Sequence, residues 1–255
     1  MRTEWRRELD WWLKARLRWS APVFKRRLRD PERLRQRLDA AAVRRWRELA
    51  SRYDLSRWVE VCSLDEYREC LAVLDLLDRH AGAAPASGRG LDIGSKNGSY
   101  LPALVTWHGG GWDGIEIDAH LRYWNLATRR GWAESMLRPW PDCRYIAGSL
   151  LDLDPDASRY AVVTWFLPFV TPTPFIAWGL PRRFFMPQRM LEHAWRLLAP
   201  GGRMLVVNQG EAEAEAQQGL FEVAGIAATG LGEVGGVFDH PSMPPRYGWL
   251  VERTV

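Results

Sequence analysis

The sequence predicts an α/β protein: a doubly wound, mostly parallel seven-stranded sheet preceded by an N-terminal helical extension. Three observations predict it. From residue 90 onward, short apolar runs alternate with helical stretches, the pattern of parallel strands joined by crossover helices. The first of those runs ends in a glycine loop, Asp92-Ile-Gly94-Ser-Lys96-Asn-Gly98, that leads into a helix. Residues 1–80, by contrast, carry helical periodicity throughout.

The extension opens with a basic amphipathic helix. Trp5, Leu9, Trp12, Leu13 and Leu17 share one stripe, and Arg6, Arg7, Lys14 and Arg18 lie on other faces. The favoured expectation is that the tryptophan face packs on the protein itself. A second helix is expected from Asp30-Pro31-Glu32, with a capping acid, proline in the first turn and a stripe of Leu34, Leu38, Ala42, Trp46, Leu49 and Tyr53. A third starts at the capping box Ser63-Leu-Asp-Glu66 and carries Tyr67, Leu71, Leu74 and Leu77. The run AGAAPASGRG (81–90) reads as a loop, dividing residues 1–80 from a sheet-bearing domain at 81–255.

Strands are expected at Gly90–Ile93, Trp112–Ile117, Arg144–Ala147, Ala161–Trp165, Arg203–Asn208 and Tyr247–Glu252, with another near Ile226–Leu231. Helices are expected near 98–107, 119–137, 187–199 and 211–224. Between the fourth strand and its helix falls an aromatic insertion, FLPFVTPTPFIAWGLPRRFFMP (166–187). It reads either as a lid over an apolar or planar ligand, or as a loop packed on the sheet and the N-terminal helices.

Composition excludes several classes. A hydrophobic content of 47% with 26% charged residues is that of a globular chain rather than a disordered one. Cys62, Cys70 and Cys143 form no CxxC pair, so neither a disulfide framework nor a metal site is expected. The segment MRTEWRRELDWW lacks the apolar core of a signal peptide, which with the unpaired cysteines points to a cytoplasmic setting. Charge is unevenly placed: residues 1–57 hold 18 Lys+Arg against 8 Asp+Glu, whereas the remainder holds 17 against 23. A basic extension of this kind suits RNA or an anionic membrane surface, the latter implying a peripheral location.

The site chemistry begins at the glycine loop. It lies at the carboxyl end of a strand, where an open α/β sheet binds its ligand and a helix N-terminus offers free N–H groups. About twenty residues on, Trp112-Asp-Gly-Ile-Glu116-Ile117-Asp118 is a strand ending in acids, and a carboxylate there can accept both hydroxyls of a ribose. Glu116 is the better placed, with Asp118 expected to start the next helix. Gly94 and Gly98 with Lys96 between them do not make the GxGxxG of a nicotinamide site.

The ordered set LDIGSKNG, GIEID, RYIAGS, YAVVTWF and LLAPGGRMLVV resembles the class I S-adenosylmethionine-dependent methyltransferases over about residues 90–208. The C-terminal remainder fits that family's last two, antiparallel strands. The resemblance implies S-adenosylmethionine as cofactor, with the loop backbone around Gly94, Ser95, Lys96 and Gly98 cradling its methionine part. Asp92 would orient the loop, Glu116 would hold the ribose, and Ile117 beside it would also contact the cofactor. Ser149 and Leu150 would flank the adenine, and Thr164, Trp165 and Phe166 would line the methyl-transfer side. The sequence departs from the family at Lys96, usually glycine, at Ser149, usually an acid, and near Ala161, where an acid is common.

No Asp-Pro-Pro-Tyr-type tetrapeptide follows the fourth strand, and no cysteine stands at the relevant strand ends. A small-molecule or lipid-like acceptor is therefore expected, with Trp165, Phe166, Asn208, Gln209 and Glu211 as candidate contacts. Two rival readings stay open. One is a catalytically inactive binding module on the same fold; the other is an RNA methyltransferase using the basic helices.

Overall fold

The computed structural model describes residues 3–254, except 26, 29, 86, 157, 158 and 241. Five helices precede the sheet: α1 (Glu4–Arg16), α2 (Glu32–Arg35), α3 (Ala40–Arg52), α4 (Trp58–Val61) and α5 (Leu64–His80). The strands are β1 (Gly90–Ile93), β2 (Trp112–Glu116), β3 (Arg144–Ala147), β4 (Tyr160–Phe166), β5 (Leu198–Gln209), β6 (Ala228–Glu233) and β7 (Arg246–Glu252). Among them run α6 (Leu101–His108), α7 (Arg129–Leu137), α8 (Pro172–Trp178), α9 (Pro187–Leu197) and α10 (Glu211–Ala224).

The strands form one sheet in the order β3-β2-β1-β4-β5-β7-β6. The first five are parallel, and β7 pairs antiparallel with both β5 and β6. The winding direction reverses between β1 and β4, which makes the crevice beyond their carboxyl ends the natural ligand site. Burial on both faces explains why β1 and β2 read as unbroken buried runs. At Gly90, a side chain would collide with the Trp112 ring at 2.1 Å, so the β1–β2 pairing requires glycine there.

One core lies under each face. On one side Leu71, Leu74 and Leu77 of α5 join Leu101 and Leu104 of α6 and Leu205 and Val207 of β5. That same cluster takes in Leu34, Leu49 and Trp58, so residues 1–80 and the sheet share a continuous apolar interior. Trp58 is fully buried, stands edge-on to Tyr67 at 5.2 Å, and donates its indole N–H to Thr106 at 2.9 Å. On the other side α9 and α10 cover Ile93, Val163, Met204 and Val206.

Local signals account for most element ends. Ser63 and Glu66 form the expected capping box at α5, and Glu66 is held further by Lys25 at 2.9 Å and the Trp132 indole at 2.8 Å. The Pro200-Gly201-Gly202 turn lies inside β5: Gly201 takes a φ of 75°, and pairing with β4 shifts register there.

Three expectations are corrected. The helix expected over 30–53 is two, because Asp39 caps a new start by accepting from the Ala42 N–H at 2.8 Å. The helix expected over 119–137 begins only at Arg129. Residues 118–128 form turns, Leu126 takes a left-handed φ of 62°, and Thr128 caps the helix. Finally, α1 packs by the face that carries Arg7 and Trp11 rather than by the expected stripe: Arg7 is buried, Trp11 meets Phe184, and Trp5, Leu9, Trp12, Leu13 and Leu17 face solvent.

Candidate active site

A cavity of about 510 Å³ opens at the carboxyl ends of the parallel strands, within the range of roughly 300–1,000 Å³ typical of small-molecule sites. One half is built from the loops after β1, β2 and β3: Gly94, Lys96, Glu116, Ile117, Ser149 and Leu150. The other half is the aromatic insertion together with Trp165 and Phe166 at the end of β4, Gln209 at the end of β5 and Glu213 in the first turn of α10.

Glu116 organises the first half. Its carboxylate is buried and accepts the Lys96 backbone N–H at 2.9 Å on Oε2 and the Asp118 N–H at 2.8 Å on Oε1. Burial raises its pKa, against the lowering effect of the Arg129 charge and those two bonds. Arg129 Nη1 lies 3.5 Å from Oε1 and has no hydrogen-bond partner among the described residues. Asp118 caps no helix, and its carboxylate meets Lys14 at 3.4 Å and Arg129 at 3.7 Å.

The glycine loop holds three left-handed residues, Gly94, Lys96 and Gly98. Gly94 has a φ of 75°, and a side chain there would meet nothing within 4 Å, so its backbone is open to the cavity. Lys96 reaches a φ of 48°, a conformation that costs a non-glycine residue about 1 kcal/mol or more. Two contacts hold it: the N–H to Glu116, and its carbonyl accepting the Tyr145 hydroxyl. Burial lowers the Lys96 pKa, an effect opposed by the Glu69 charge.

Asp92 lies behind the loop rather than in the cavity. It accepts the Thr164 hydroxyl at 2.7 Å and the Tyr100 hydroxyl at 3.0 Å, which ties β1 to β4 and to the start of α6. Full burial pushes its pKa up to about 7. Ser95 is also buried, its hydroxyl donating to the Asp92 carbonyl at 2.9 Å. Gly98 packs against Ala133 of α7. Asp92, Ser95, Gly98 and Thr164 therefore shape the loop from beneath and do not line the cavity.

Ser149 lines the cavity, but its hydroxyl accepts the Leu151 N–H at 3.2 Å, capping a short 3₁₀ turn at Leu150–Asp152. Asp152 completes that cap by accepting the Ser149 N–H at 3.2 Å.

The insertion folds as α8, followed by a 3₁₀ turn at Arg182–Phe184. Its rings pack on one another, Phe169 against Phe175 at 5.6 Å and against Trp178 at 5.7 Å, and Phe175 against Phe185 at 5.2 Å. Trp178 reaches back over the first half of the site. Its ring lies 4.8 Å from the Arg129 guanidinium carbon and 5.8 Å from Lys96 Nζ, both favourable for cation–π attraction. The segment both lines the cavity and packs on α1, where Phe184 meets the Trp11 ring at 4.7 Å.

No family model and no curated protein matches the sequence. Among solved structures, the chain is similar to an S-adenosylmethionine-dependent methyltransferase from Aquifex aeolicus. The two are 14% identical with a TM-score of 0.53, and the match covers 88% of this chain and 98% of that one. It is also similar to the YcgJ protein of Bacillus subtilis, at 13% identity and a TM-score of 0.50, covering 71% of this chain and 98% of that one. The chain has the class I methyltransferase fold.

Within that fold, the acceptor side differs from the sequence expectation. Asn208 is fully buried on β5, its amide without a partner among the described residues, and does not line the cavity. Glu211 is exposed at the start of α10 and accepts the Tyr247 hydroxyl at 3.3 Å. The inward carboxylate is Glu213, which accepts the Gln209 backbone N–H at 3.0 Å and whose pKa is raised by burial. Both acids lie in the first turn of α10, and of the two Glu213 lines the cavity.

Proposed function

We propose that the chain is an S-adenosylmethionine-dependent methyltransferase acting on a small-molecule or lipid-like acceptor held beneath the aromatic lid. The observation that carries this reading is the single cavity joining the Gly94–Glu116–Ser149 half to the ring-lined half. The residues present suit a nucleoside bearing an amino-acid tail. Gly94 exposes backbone to the cavity, and Glu116, with one backbone N–H on each oxygen, keeps lone pairs free for ribose hydroxyls.

When bound, the cofactor supplies an electrophilic sulfonium methyl, so the protein's task is chiefly alignment and exclusion of water. Glu116 would fix the ribose, Ser149 and Leu150 would flank the base, and Trp165 and Phe166 would hold the acceptor in line. Glu213, made more basic by burial and anchored on the Gln209 N–H, is placed to take a proton from a hydroxyl or amine acceptor.

Calorimetry with S-adenosylhomocysteine tests the reading. Micromolar-range binding is expected, and absence of heat on folded protein would overturn it. A second reading, the same fold used only for binding, is favoured by Lys96 standing where the family has glycine. Saturable cofactor binding with no methyl transfer to any amphiphilic or aromatic acceptor would select it.

A further inference from the structure

Helix α1 meets the rest of the molecule through Glu4, Glu8, Trp11 and Lys14. Glu4 accepts the Arg182 backbone N–H at 2.7 Å, Glu8 pairs with Arg183, and the Trp11 ring lies 4.7 Å from Phe184, which lines the cavity. At the other end Lys14 reaches Asp118, just beyond β2. The helix therefore bridges the lid and the cofactor-side rim.

Its opposite face is apolar and exposed: Trp5 by 61% and Trp12 by 46%, with Leu9, Leu13 and Leu17 between and beyond them. Trp19 and Phe24 continue this exposure along the chain. Arg122 ties the neighbouring loop to the carbonyls of Leu17 and Trp19, and the Ala21 N–H donates to Leu126 at 3.2 Å. That loop carries Trp124, 95% exposed, and Leu126. Arginines are interleaved with the rings: Arg6 lies 5.4 Å from the Trp5 centroid and Arg16 3.9 Å from that of Trp12, with exposed Arg18 following and Asp10 at the margin. Contiguous apolar surface of this kind marks an interaction site on a water-soluble fold.

We propose that this face is a docking surface for an anionic lipid bilayer, with α1 lying in the headgroup plane. Tryptophan favours the membrane–water interface, and leucines beside it suit the acyl boundary just below. The guanidinium groups at the same level complement anionic headgroups, as does the excess of 18 basic over 8 acidic residues in positions 1–57. RNA is the weaker fit: exposed leucines do nothing for base stacking, and Arg16 already covers the Trp12 ring. No helix among the described residues is long and apolar enough to cross a membrane, so the contact is with the surface. Docking does not depend on the proposed chemistry. That an amphiphilic acceptor enters from the bilayer, past the lid that α1 holds, does rest on the methyltransferase reading.

The test is co-sedimentation with extruded vesicles of phosphatidylcholine, with and without one-third phosphatidylglycerol. The full chain should pellet with the anionic vesicles, and Leu9→Glu/Leu13→Glu should weaken that partition by more than about tenfold. Both positions are solvent-facing, so the variant should keep its circular dichroism and thermal midpoint. A second variant, Arg6→Gln/Arg16→Gln, should lose the preference for anionic over neutral lipid while adding no charge to the apolar face. The proposal is overturned if neither vesicle pellets the protein, or if the leucine variant pellets as well as the parent. It is equally overturned if the same substitution abolishes RNA retention on filters or dissolves a dimer while vesicles are ignored. Calorimetry with S-adenosylhomocysteine on the same samples reads the cavity separately, so loss of one reading leaves the other standing.

Discussion

The Lys96 backbone N–H donates to Glu116 Oε2 at 2.9 Å, joining the glycine loop after β1 to the acid that ends β2. Because that carboxylate also receives the Asp118 N–H, one side chain fixes the shape of two ligand-facing loops. Glu116→Ala should therefore do more than remove a ligand contact. It leaves two backbone donors without their partner, and bonds to a charged group contribute about 1.5–3 kcal/mol each. S-adenosylhomocysteine affinity should fall well over tenfold by calorimetry. An unchanged dissociation constant would place the ribose elsewhere.

Asp92 makes folding stability depend on pH. Its folded pKa of about 7 lies above the value near 3.8 of an unperturbed group, so the native state holds the proton more tightly than the unfolded chain. Its stabilising contribution is complete below about pH 4 and is lost as pH rises through about 7. Asp92→Asn keeps the neutral shape and should flatten this dependence. The variant's thermal midpoint, compared with the parent's, should therefore improve progressively between about pH 4 and pH 7 and level off above that.

Lys96→Gly relieves a left-handed residue. Release of that strain, about 1–2 kcal/mol, is partly offset by the added freedom of glycine in the unfolded chain, about 0.5–1 kcal/mol. Scanning fluorimetry should find the variant at least as stable as the parent. A drop of several degrees would mean that the lysine side chain, through Glu69 or Trp178, outweighs the backbone cost.

Trp178 fastens the lid to Arg129 and Lys96. Cation–π contacts of about 0.5–2 kcal/mol, once removed in Trp178→Ala, should raise the open population several-fold. Limited trypsin digestion at Arg182 and Arg183 should accelerate by about threefold or more. Equal cleavage rates would show that the lid is held by its ring packing alone.

Trp58→Phe tests the shared interior. Losing the indole bond to Thr106 and some packing volume should cost roughly 1–2 kcal/mol. Thermal unfolding should remain one transition, shifted downward. Two separated transitions would show that the N-terminal helices fold apart from the sheet.

The sheet was legible because buried parallel strands such as β1 read as apolar runs bounded by turns, and both β1 and the half-exposed edge strand β3 fall at the expected residues. Capping chemistry fixed the start of α5 in the same way. Periodicity was weaker evidence where it had to choose a direction. The spacing of Trp5, Leu9 and Trp12 shows that they share a face of α1, yet it cannot say which face meets the protein. There the ion pairs of Glu8 and Lys14 with distant residues decide. In the site, Gly94, Lys96, Glu116, Ile117, Ser149, Leu150, Trp165, Phe166 and Gln209 are brought together around one cavity. The part that escaped the sequence lies where helices begin: Glu213 rather than Glu211 lines the cavity, and α7 starts only at Arg129, after a left-handed Leu126 and the Thr128 cap.

The two halves of the cavity have different genetic addresses. The half formed by Gly94, Glu116 and Ser149 is scattered over three separate strand ends, whereas the aromatic half comes largely from the uninterrupted stretch 166–186. One segmental exchange between the end of β4 and the start of α9 could therefore replace most of the ring-lined wall while leaving Gly94, Glu116 and Leu150 in place. A scaffold partitioned in this way can diversify its clientele by cassette, and offers the same handle to a protein engineer.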